Sequence, residues 1–241
     1  MVLPRYLAMT GAEMSALSAY SFPIAYMGCH FSPYTQGLTN IPDSLPPDSM
    51  LILTDRMPCD GHSADLVVRQ LQDAVTQLKC ESVLLDFQRP PDLESSAMAD
   101  KITGALSCPV AVTEGFAKGL TCPMFLSPGP LHQPLAEYLL PWQGREIWLE
   151  AALCQDEITV TESGSEFTRQ FPPEGLDGGF YDETLCCHYR IKTGADRVTF
   201  TLFDTLDSLE KKLEQARSLG VNRAVGLWQE LGTFPTGKFS S

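Results

Sequence analysis

The sequence has 241 residues, 44% of them hydrophobic, and 30 Asp and Glu against 17 Lys and Arg give a net charge of −13 at pH 7. This length suits one α/β barrel. The acidic balance argues against nucleic-acid and anionic-membrane partners, because both attract basic patches. No apolar stretch approaches the roughly 18 residues of a membrane-spanning helix, and the opening residues do not form a secretory signal.

The eight cysteines are expected to carry reduced thiols. Cys80, Cys108 and Cys122 each stand at the edge of an apolar segment, and Cys186 and Cys187 are adjacent. Without a signal segment, this placement favours a cytoplasmic protein over an exported, disulfide-bonded one. Cys187 and His188 are not a metal pair, because neighbouring side chains in a strand point to opposite faces. The sequence predicts no metal site and no cofactor.

The first predicted strand follows a weakly patterned lead-in of about 20 residues. It spans residues 23–30, with His30 near its end. Residues 31–49 contain four prolines and are not expected to form a regular helix. A second strand covers residues 50–56 and ends in Asp55 and Arg56, for which both a site ion pair and a surface ion pair are open interpretations.

Two helices and a buried strand are predicted next. Ser63 is a plausible N-cap for a helix to about Lys79, and its apolar residues recur at helical spacing: Val67, Leu71, Ala74, Val75 and Leu78. The strand 82–88 is apolar until its last residues, as expected of a parallel strand buried on both faces. Its Asp86 and Gln88 are two apart, so they face the same side. A second helix spans residues 93–106.

The remaining elements alternate and then change period. Three short strands are predicted, at residues 109–114, 123–127 and 146–153. Residues 155–203 alternate with period two between glycine and proline breaks, which predicts inserted antiparallel hairpins. A helix over residues 206–219 and a strand over residues 224–228 close the chain.

This strand–helix–strand order predicts a (β/α)8-type TIM barrel, with a small antiparallel hairpin insertion before the last helix. We expect residues 1–241 to form one domain. An open doubly wound sheet is the competing fold, although no glycine-rich phosphate loop follows any strand.

The end of the chain resembles the family-18 glycoside hydrolases, the chitinase-like α/β barrels. The matching pieces are Tyr181-Asp182-Glu183, Phe203-Asp204, the segment from Ser208 to Val221, and Val225 to Gly232 with Trp228. The resemblance implies a barrel whose last strand ends in a tryptophan that floors a sugar site. It also implies three strands before Asp86 where only two are recognised, so either the barrel is shortened or one strand is unrecognised.

The same resemblance implies a catalytic glutamate on the fourth strand, two residues beyond the last aspartate. Asp86 matches that aspartate, Leu84 replaces the preceding one, and Gln88 stands at the position of the acid. In the family the glutamate protonates the leaving oxygen while the acetamido oxygen of the substrate attacks the anomeric carbon. Gln88 has no ionisable proton, and losing a general acid typically costs about 10²- to 10⁴-fold in rate. The tyrosine that the family carries after the sixth strand has no match in residues 124–127.

Two functional hypotheses follow. The first is a catalytically degenerate barrel that binds an oligosaccharide, such as an amino-sugar glycan, or a protein partner. The second is an active glycosidase on an amino-sugar glycan with a relocated acid, for which the strand-end carboxylates Glu114, Glu150 and Glu230 are candidates. The proposed ligand-binding residues are Trp228, Tyr26 and Asp55, beside Asp86 and Gln88. Each has a plain structural alternative, such as a core Trp or a solvated carboxylate.

Overall fold

The computed structural model describes residues 3–14, 23–171 and 178–231. Eight parallel strands form a closed ring, because the first strand pairs with both the second and the last. The predicted barrel is therefore confirmed and the open sheet is wrong. The barrel strands are β1 (Arg5–Met9), β2 (Ile24–Phe31), β4 (Met50–Thr54), β5 (Ser82–Asp86), β6 (Val110–Thr113), β7 (Met124–Leu126), β8 (Ile147–Glu150) and β14 (Val221–Leu227).

The strand that sequence analysis did not recognise is β1. The lead-in assigned to the first 20 residues was wrong, because Arg5–Met9 pairs in parallel with β14 from Arg5 opposite Ala224 to Ala8 opposite Leu227. Tyr6, Leu7 and Ala8 are all buried, so the strand shows no polar alternation that would mark it. Residues 23–30 are thus the second barrel strand, and no strand of the barrel is missing.

The barrel is shortened in its connections. The predicted helices are confirmed as α2 (Ala64–Leu78), α3 (Leu93–Ala105) and α5 (Leu206–Ser218), with N-caps at Ser63, Asp92 and Thr205. In the fully described connections after β6 and β7 the helical segments are short: a 3-10 turn at Glu114–Phe116, α4 (Leu135–Leu139) and a second 3-10 turn at Leu140–Trp142. Within the described ranges, α1 (Gly11–Met14) follows β1 and α6 (Trp228–Leu231) follows β14. In the fully described stretch between β2 and β4, the two-residue strand β3 (Leu38–Thr39) takes the place of a helix.

Apolar side chains fill the barrel interior, and a polar cluster closes its lower end. The interior layer is Tyr6, Ala8, Ala25, Met50, Ile52, Leu84, Ala111, Phe125, Trp148 and Val225. Below Trp148, the guanidinium of Arg223 lies 4.7 Å from the indole ring. Arg223 donates to the Ser82 hydroxyl at 3.0 Å and bonds Glu81, which also accepts from the Tyr6 hydroxyl. This polar cluster occupies the end at which the strands begin, opposite the end at which Asp86 and Glu150 terminate β5 and β8.

The predicted insertion is a five-stranded antiparallel sheet. Its strands are β9 (Gln155–Thr161), β10 (Gly164–Gln170), β11 (Phe180–Asp182), β12 (Cys187–Thr193) and β13 (Arg197–Phe203), in the order β10-β9-β13-β12-β11. Leu202 and Cys187 pack against Leu131, Ala152 and Cys154 of the barrel. These contacts fix the insertion to the end of the barrel at which the parallel strands have their C-terminal residues.

Among the residues that the structure describes, no helix combines the length and the apolar character needed to cross a membrane. All eight cysteines lie in the described ranges and carry free thiols.

Candidate functional site

Two carboxylates extend the inward-facing rows of side chains to the mouth of the barrel. Asp86 lies two residues beyond the interior residue Leu84, and Glu150 lies two residues beyond the interior residue Trp148. Because side chains alternate along a strand, both carboxyl groups point into the mouth. Strands β5 and β8 are separated by β6 and β7, so the two groups face the opening from different sides.

Asp86 and Gln88 meet directly. The side-chain amide of Gln88 donates a hydrogen bond to Oδ1 of Asp86, which confirms that the two residues share a face. Burial raises the pKa of Asp86 and the charge of Asp55 adds to this effect, whereas the hydrogen bond from Gln88 opposes it. Gln88 itself is exposed to the mouth. The position that the resemblance assigns to a proton donor therefore holds an amide paired with a carboxylate.

Asp55 holds the chain that carries Gln88. Its buried carboxylate accepts the backbone N–H of Gln88 at 2.9 Å and that of Arg89 at 2.8 Å. Arg89 in return donates from Nε to the backbone carbonyl of Asp55 at 3.1 Å. Neither the site ion pair nor the surface ion pair proposed for Asp55 and Arg56 is among the ion pairs of the described residues. Asp55 instead fixes the turn that follows β5.

Replacing Asp55 with alanine is expected to destabilise the protein by about 2 to 4 kcal/mol, because two N–H groups lose a charged acceptor and part of their solvation is not restored. Asp55→Asn keeps the volume and one acceptor oxygen, so we expect a smaller loss. Urea unfolding of both variants checks the order. The exposed Asp43→Ala, on the Pro-rich segment, is the control and should stay within about 0.5 kcal/mol of the parent. Equal stability of Asp55→Ala and the parent would contradict this role.

Glu150 and Glu230 form a carboxylate cluster with Asp86. Burial, followed by the charges of Asp86 and Glu230, raises the pKa of Glu150 to about 7, and Arg169 acts against this shift. Burial also raises the pKa of Glu230, whose Oε2 is buried and has no hydrogen-bond partner among the residues that the structure describes. A carboxyl group with a pKa near neutrality is protonated in a large fraction of the molecules near pH 7, which is a requirement of a general acid.

Tyr138 places a phenol at the end of the sixth barrel strand, although it belongs to α4. Its hydroxyl donates to the backbone carbonyl of Ser127 at 2.9 Å, and its ring packs so closely on Gly129 that a Cβ there would lie 2.8 Å from it. Burial, with the charges of Glu114 and Glu150, raises the pKa of Tyr138 to about 12. Glu114 is exposed in the turn after β6, so it lies at the rim of the mouth.

The two aromatic residues proposed to bind ligand lie at the same end of the barrel. Trp228 opens α6 directly after β14 and is half-buried against the hydrophobic cluster outside the barrel. Tyr26 is 5% exposed, and its hydroxyl donates to the backbone carbonyl of Asn40 at 3.0 Å. Tyr26 also lines a cavity of about 440 Å³ beside the mouth. A direct contact of either residue with a ligand stays a prediction.

Sequence reasoning missed Arg169 and Tyr138. Arg169, on β10, binds the fully buried Asp156 through Nε at 2.6 Å and Nη2 at 2.7 Å, and it donates to the carbonyls of Pro128 and Gly129. It thereby ties the insertion to the loop after β7 and brings a positive charge near Glu150. Neither residue stands at a predicted strand end, so no local pattern marked it.

No protein-family model and no curated protein matches the sequence. Solved structures do. A family-18 N-acetylglucosaminidase from Paenibacillus barengoltzii aligns with a TM-score of 0.60 at 11% identity, covering 98% of this chain and 97% of that one. A glutamate-to-glutamine mutant of the class V chitinase from Nicotiana tobaccum, in complex with NAG4, aligns with a TM-score of 0.59 at 9% identity, covering 100% and 99%.

The spore cortex-lytic enzyme SleL from Bacillus megaterium aligns with a TM-score of 0.54 at 12% identity, covering 94% of this chain and 70% of that one. At these identities the likeness establishes the fold. The chain has the chitinase-like barrel fold of the family-18 glycoside hydrolases, as its C-terminal sequence pattern predicted.

Proposed function

We propose that the mouth of this barrel binds an amino-sugar oligosaccharide and does not hydrolyse it by the family mechanism. The observation that carries the proposal is the hydrogen bond from Gln88 to Asp86, at the place where the resemblance expects the proton donor. An amide in this position donates and accepts hydrogen bonds but delivers no proton to a leaving oxygen.

The chemistry of the mouth and the structural neighbours both support a sugar ligand. The carboxylates of Asp86 and Glu150 and the amide of Gln88 offer acceptors and a donor to hydroxyl and acetamido groups. One neighbour was crystallised as a glutamate-to-glutamine mutant that holds NAG4, so a barrel of this fold that carries that change retains a tetrasaccharide. The acidic surface of the protein is compatible with a neutral glycan.

Isothermal titration with the tetramer of N-acetylglucosamine tests this proposal. We expect saturable binding by the parent protein and no release of shorter oligomers from the same sample over a day. Asp86→Ala removes a carboxylate of the mouth and should weaken binding by about tenfold to a hundredfold, since a hydrogen bond to a charged group contributes about 1.5 to 3 kcal/mol. Absence of binding at millimolar sugar, or hydrolysis by the parent, would overturn the proposal.

Gln88→Glu tests whether the rest of the family site is present. The new carboxyl group would stand beside Asp86, and like-charge repulsion should raise its pKa towards the range of a general acid. We nevertheless expect little or no turnover of a chromogenic chitobioside, because Leu84 replaces the preceding aspartate of the family pattern. The phenol at the end of the sixth strand also comes from Tyr138 on α4 and not from residues 124–127. Substantial turnover by Gln88→Glu, with none by the parent, would show that this expectation is wrong.

A second candidate function is hydrolysis with Glu150 as the relocated acid. One observation favours it: this carboxyl group lines the mouth, and its pKa is raised to about 7 by burial and by the neighbouring carboxylates. Turnover by the parent that Glu150→Gln abolishes and Gln88→Ala preserves would assign the activity to Glu150.

A further inference from the structure

A polar cavity of about 440 Å³ opens beside the carboxylates of the mouth. It lies above the ends of β1, β2 and β4, and its polar lining consists of Thr10, Tyr26, His30, Asn40, Thr54 and Arg56. The carboxylates of Asp86, Glu150 and Glu230 are not part of this lining. The lining therefore contains a cation and no carboxylate, although the carboxylate of Glu13 lies at its edge, where it accepts from the backbone N–H and the hydroxyl of Thr10.

The far wall of the cavity is held by hydrogen bonds. His30 binds the carbonyl of Phe31 through Nδ1 at 2.8 Å, so Nδ1 carries the proton and Nε2 accepts from the amide of Asn40 at 3.1 Å. The backbone carbonyl of Asn40 accepts from the Tyr26 hydroxyl at 3.0 Å. Both ring nitrogens of His30 are thus engaged by the protein, and the imidazole forms a fixed wall of the cavity.

Arg56 is the cation of the cavity. Its side chain is exposed and has no carboxylate partner among the ion pairs of the described residues. The adjacent carboxylate of Asp55 is already used by the N–H groups of Gln88 and Arg89. Arg89 also donates to the backbone carbonyls of Asp55 at 3.1 Å and Arg56 at 3.5 Å. These hydrogen bonds hold the backbone at Arg56 in place, while the guanidinium of Arg56 is exposed and can bind a ligand.

We infer that this cavity receives a carboxylate-bearing substituent of the bound glycan, with Arg56 as the residue that selects it. The inference rests on the proposed function and narrows it to acidic amino-sugar chains. A guanidinium binds a carboxylate through two parallel hydrogen bonds, and it is the residue type best suited to this geometry. The carboxylates on the other side of the mouth would repel such a group, so the charge distribution also sets the direction in which the chain binds.

A matched pair of disaccharides tests the inference. N,N′-diacetylchitobiose is neutral, and N-acetylglucosaminyl-N-acetylmuramic acid differs from it by one lactyl ether that carries a carboxylate. We expect the parent protein to bind the acidic disaccharide about tenfold more tightly in titrations at low salt, which corresponds to about 1.4 kcal/mol. The preference should shrink as salt is added, because Arg56 is exposed.

Arg56→Ala should abolish this preference and leave the affinity for diacetylchitobiose within about twofold, and Arg56→Lys should restore part of it. Arg69→Ala, which removes an exposed arginine on α2 outside the cavity lining, is the matched control and should keep the full preference. Esterifying the lactyl carboxylate should abolish the preference in the parent as well. Thermal unfolding verifies that each variant is folded.

The outcomes separate the two proposals. If the parent binds both disaccharides equally, or if Arg56→Ala keeps the preference, the acidic-substituent inference is wrong and the sugar-binding proposal stands. If neither disaccharide nor the tetramer of N-acetylglucosamine binds, both proposals are wrong. If only the acidic disaccharide binds and Arg56→Ala eliminates that binding, the cavity is the dominant subsite.

Discussion

Replacing Asp156 with alanine is expected to lower the free energy of unfolding by about 3 to 5 kcal/mol. Asp156 is 0% exposed and forms two short hydrogen bonds with Arg169, and its Oδ2 also accepts the N–H of Leu131 at 2.7 Å. Removal of the carboxylate leaves a half-buried guanidinium without a counter-charge and an N–H group without its acceptor. Both losses add to the cost because neither group regains full solvation.

Urea denaturation of Asp156→Ala beside Asp196→Ala measures this effect. Asp196 pairs with Arg197 on the same inserted sheet, but both side chains are exposed, so that variant should change stability by less than about 1 kcal/mol. The double variant Asp156→Leu/Arg169→Met removes both charges and should recover much of the loss. Similar effects of Asp156→Ala and Asp196→Ala would contradict the assignment of Asp156 as the anchor of the insertion.

The same ion pair links the insertion to the site. Arg169 donates to the carbonyls of Pro128 and Gly129, and Gly129 packs on the ring of Tyr138. Arg169 also lowers the pKa of Glu150 against the other effects acting on that group. The insertion therefore shapes the loop after β7 and moderates the electrostatics of the mouth, so Asp156→Ala should weaken sugar binding as well as stability.

Local patterns predicted the parts of the fold that local interactions determine. The helices α2 and α5 follow from apolar spacing and capping residues. The two-residue spacing also predicted that Asp86 and Gln88 share a face, although β5 ends at Asp86 and Gln88 lies just beyond the strand. Strand β1 was missed for a physical reason. It is short and buried on both faces, so it has neither the length nor the alternation on which recognition depends.

The site depends more on contacts between distant segments. The partners of Asp55 are backbone groups 33 and 34 residues later in the chain. The sequence suggested instead an ion pair with the adjacent Arg56. Arg169 reaches the loop after β7 from 40 residues away. Burial, and then the charges of Asp86 and Glu230, raise the pKa of Glu150, whereas the sequence indicates only that each of these carboxylates stands at a strand end.

Glu150→Gln is expected to stabilise the protein at alkaline pH and to leave it almost unchanged in acid. The pKa of this carboxyl group rises from its ordinary 4.5 to about 7 on folding. Below pH 4.5 the group is protonated in the folded and unfolded states, so ionisation contributes no difference. Between pH 4.5 and 7 the unfolded chain loses the proton while the folded protein keeps it, and stability falls as pH rises. Above pH 7 the full cost is present.

The expected gain at pH 8 is on the order of 3 kcal/mol, because each tenfold change in proton affinity corresponds to about 1.4 kcal/mol. Urea unfolding of the parent and of Glu150→Gln at pH 4, 6 and 8 measures it as a difference that grows with pH. Glu166→Gln, on the exposed face of β10, is the matched control and should show no such growth. A loss of stability in Glu150→Gln at pH 8 would mean that Glu150 is ionised and favourably paired, which contradicts the carboxylate cluster.

The same variant separates the two candidate functions, because the stability gain does not depend on catalysis. If the parent hydrolyses a chitobioside, Glu150→Gln should reduce the rate about 10²- to 10⁴-fold while the protein becomes more stable. Such a result would make Glu150 a residue that lowers the stability of the fold but is required for activity, as is common at active sites. If the parent has no activity and Glu150→Gln only raises the free energy of unfolding, the carboxylate cluster serves binding. Titration with the tetramer of N-acetylglucosamine then shows whether Glu150 contacts the sugar. The variant loses affinity if it does and keeps its affinity if it does not.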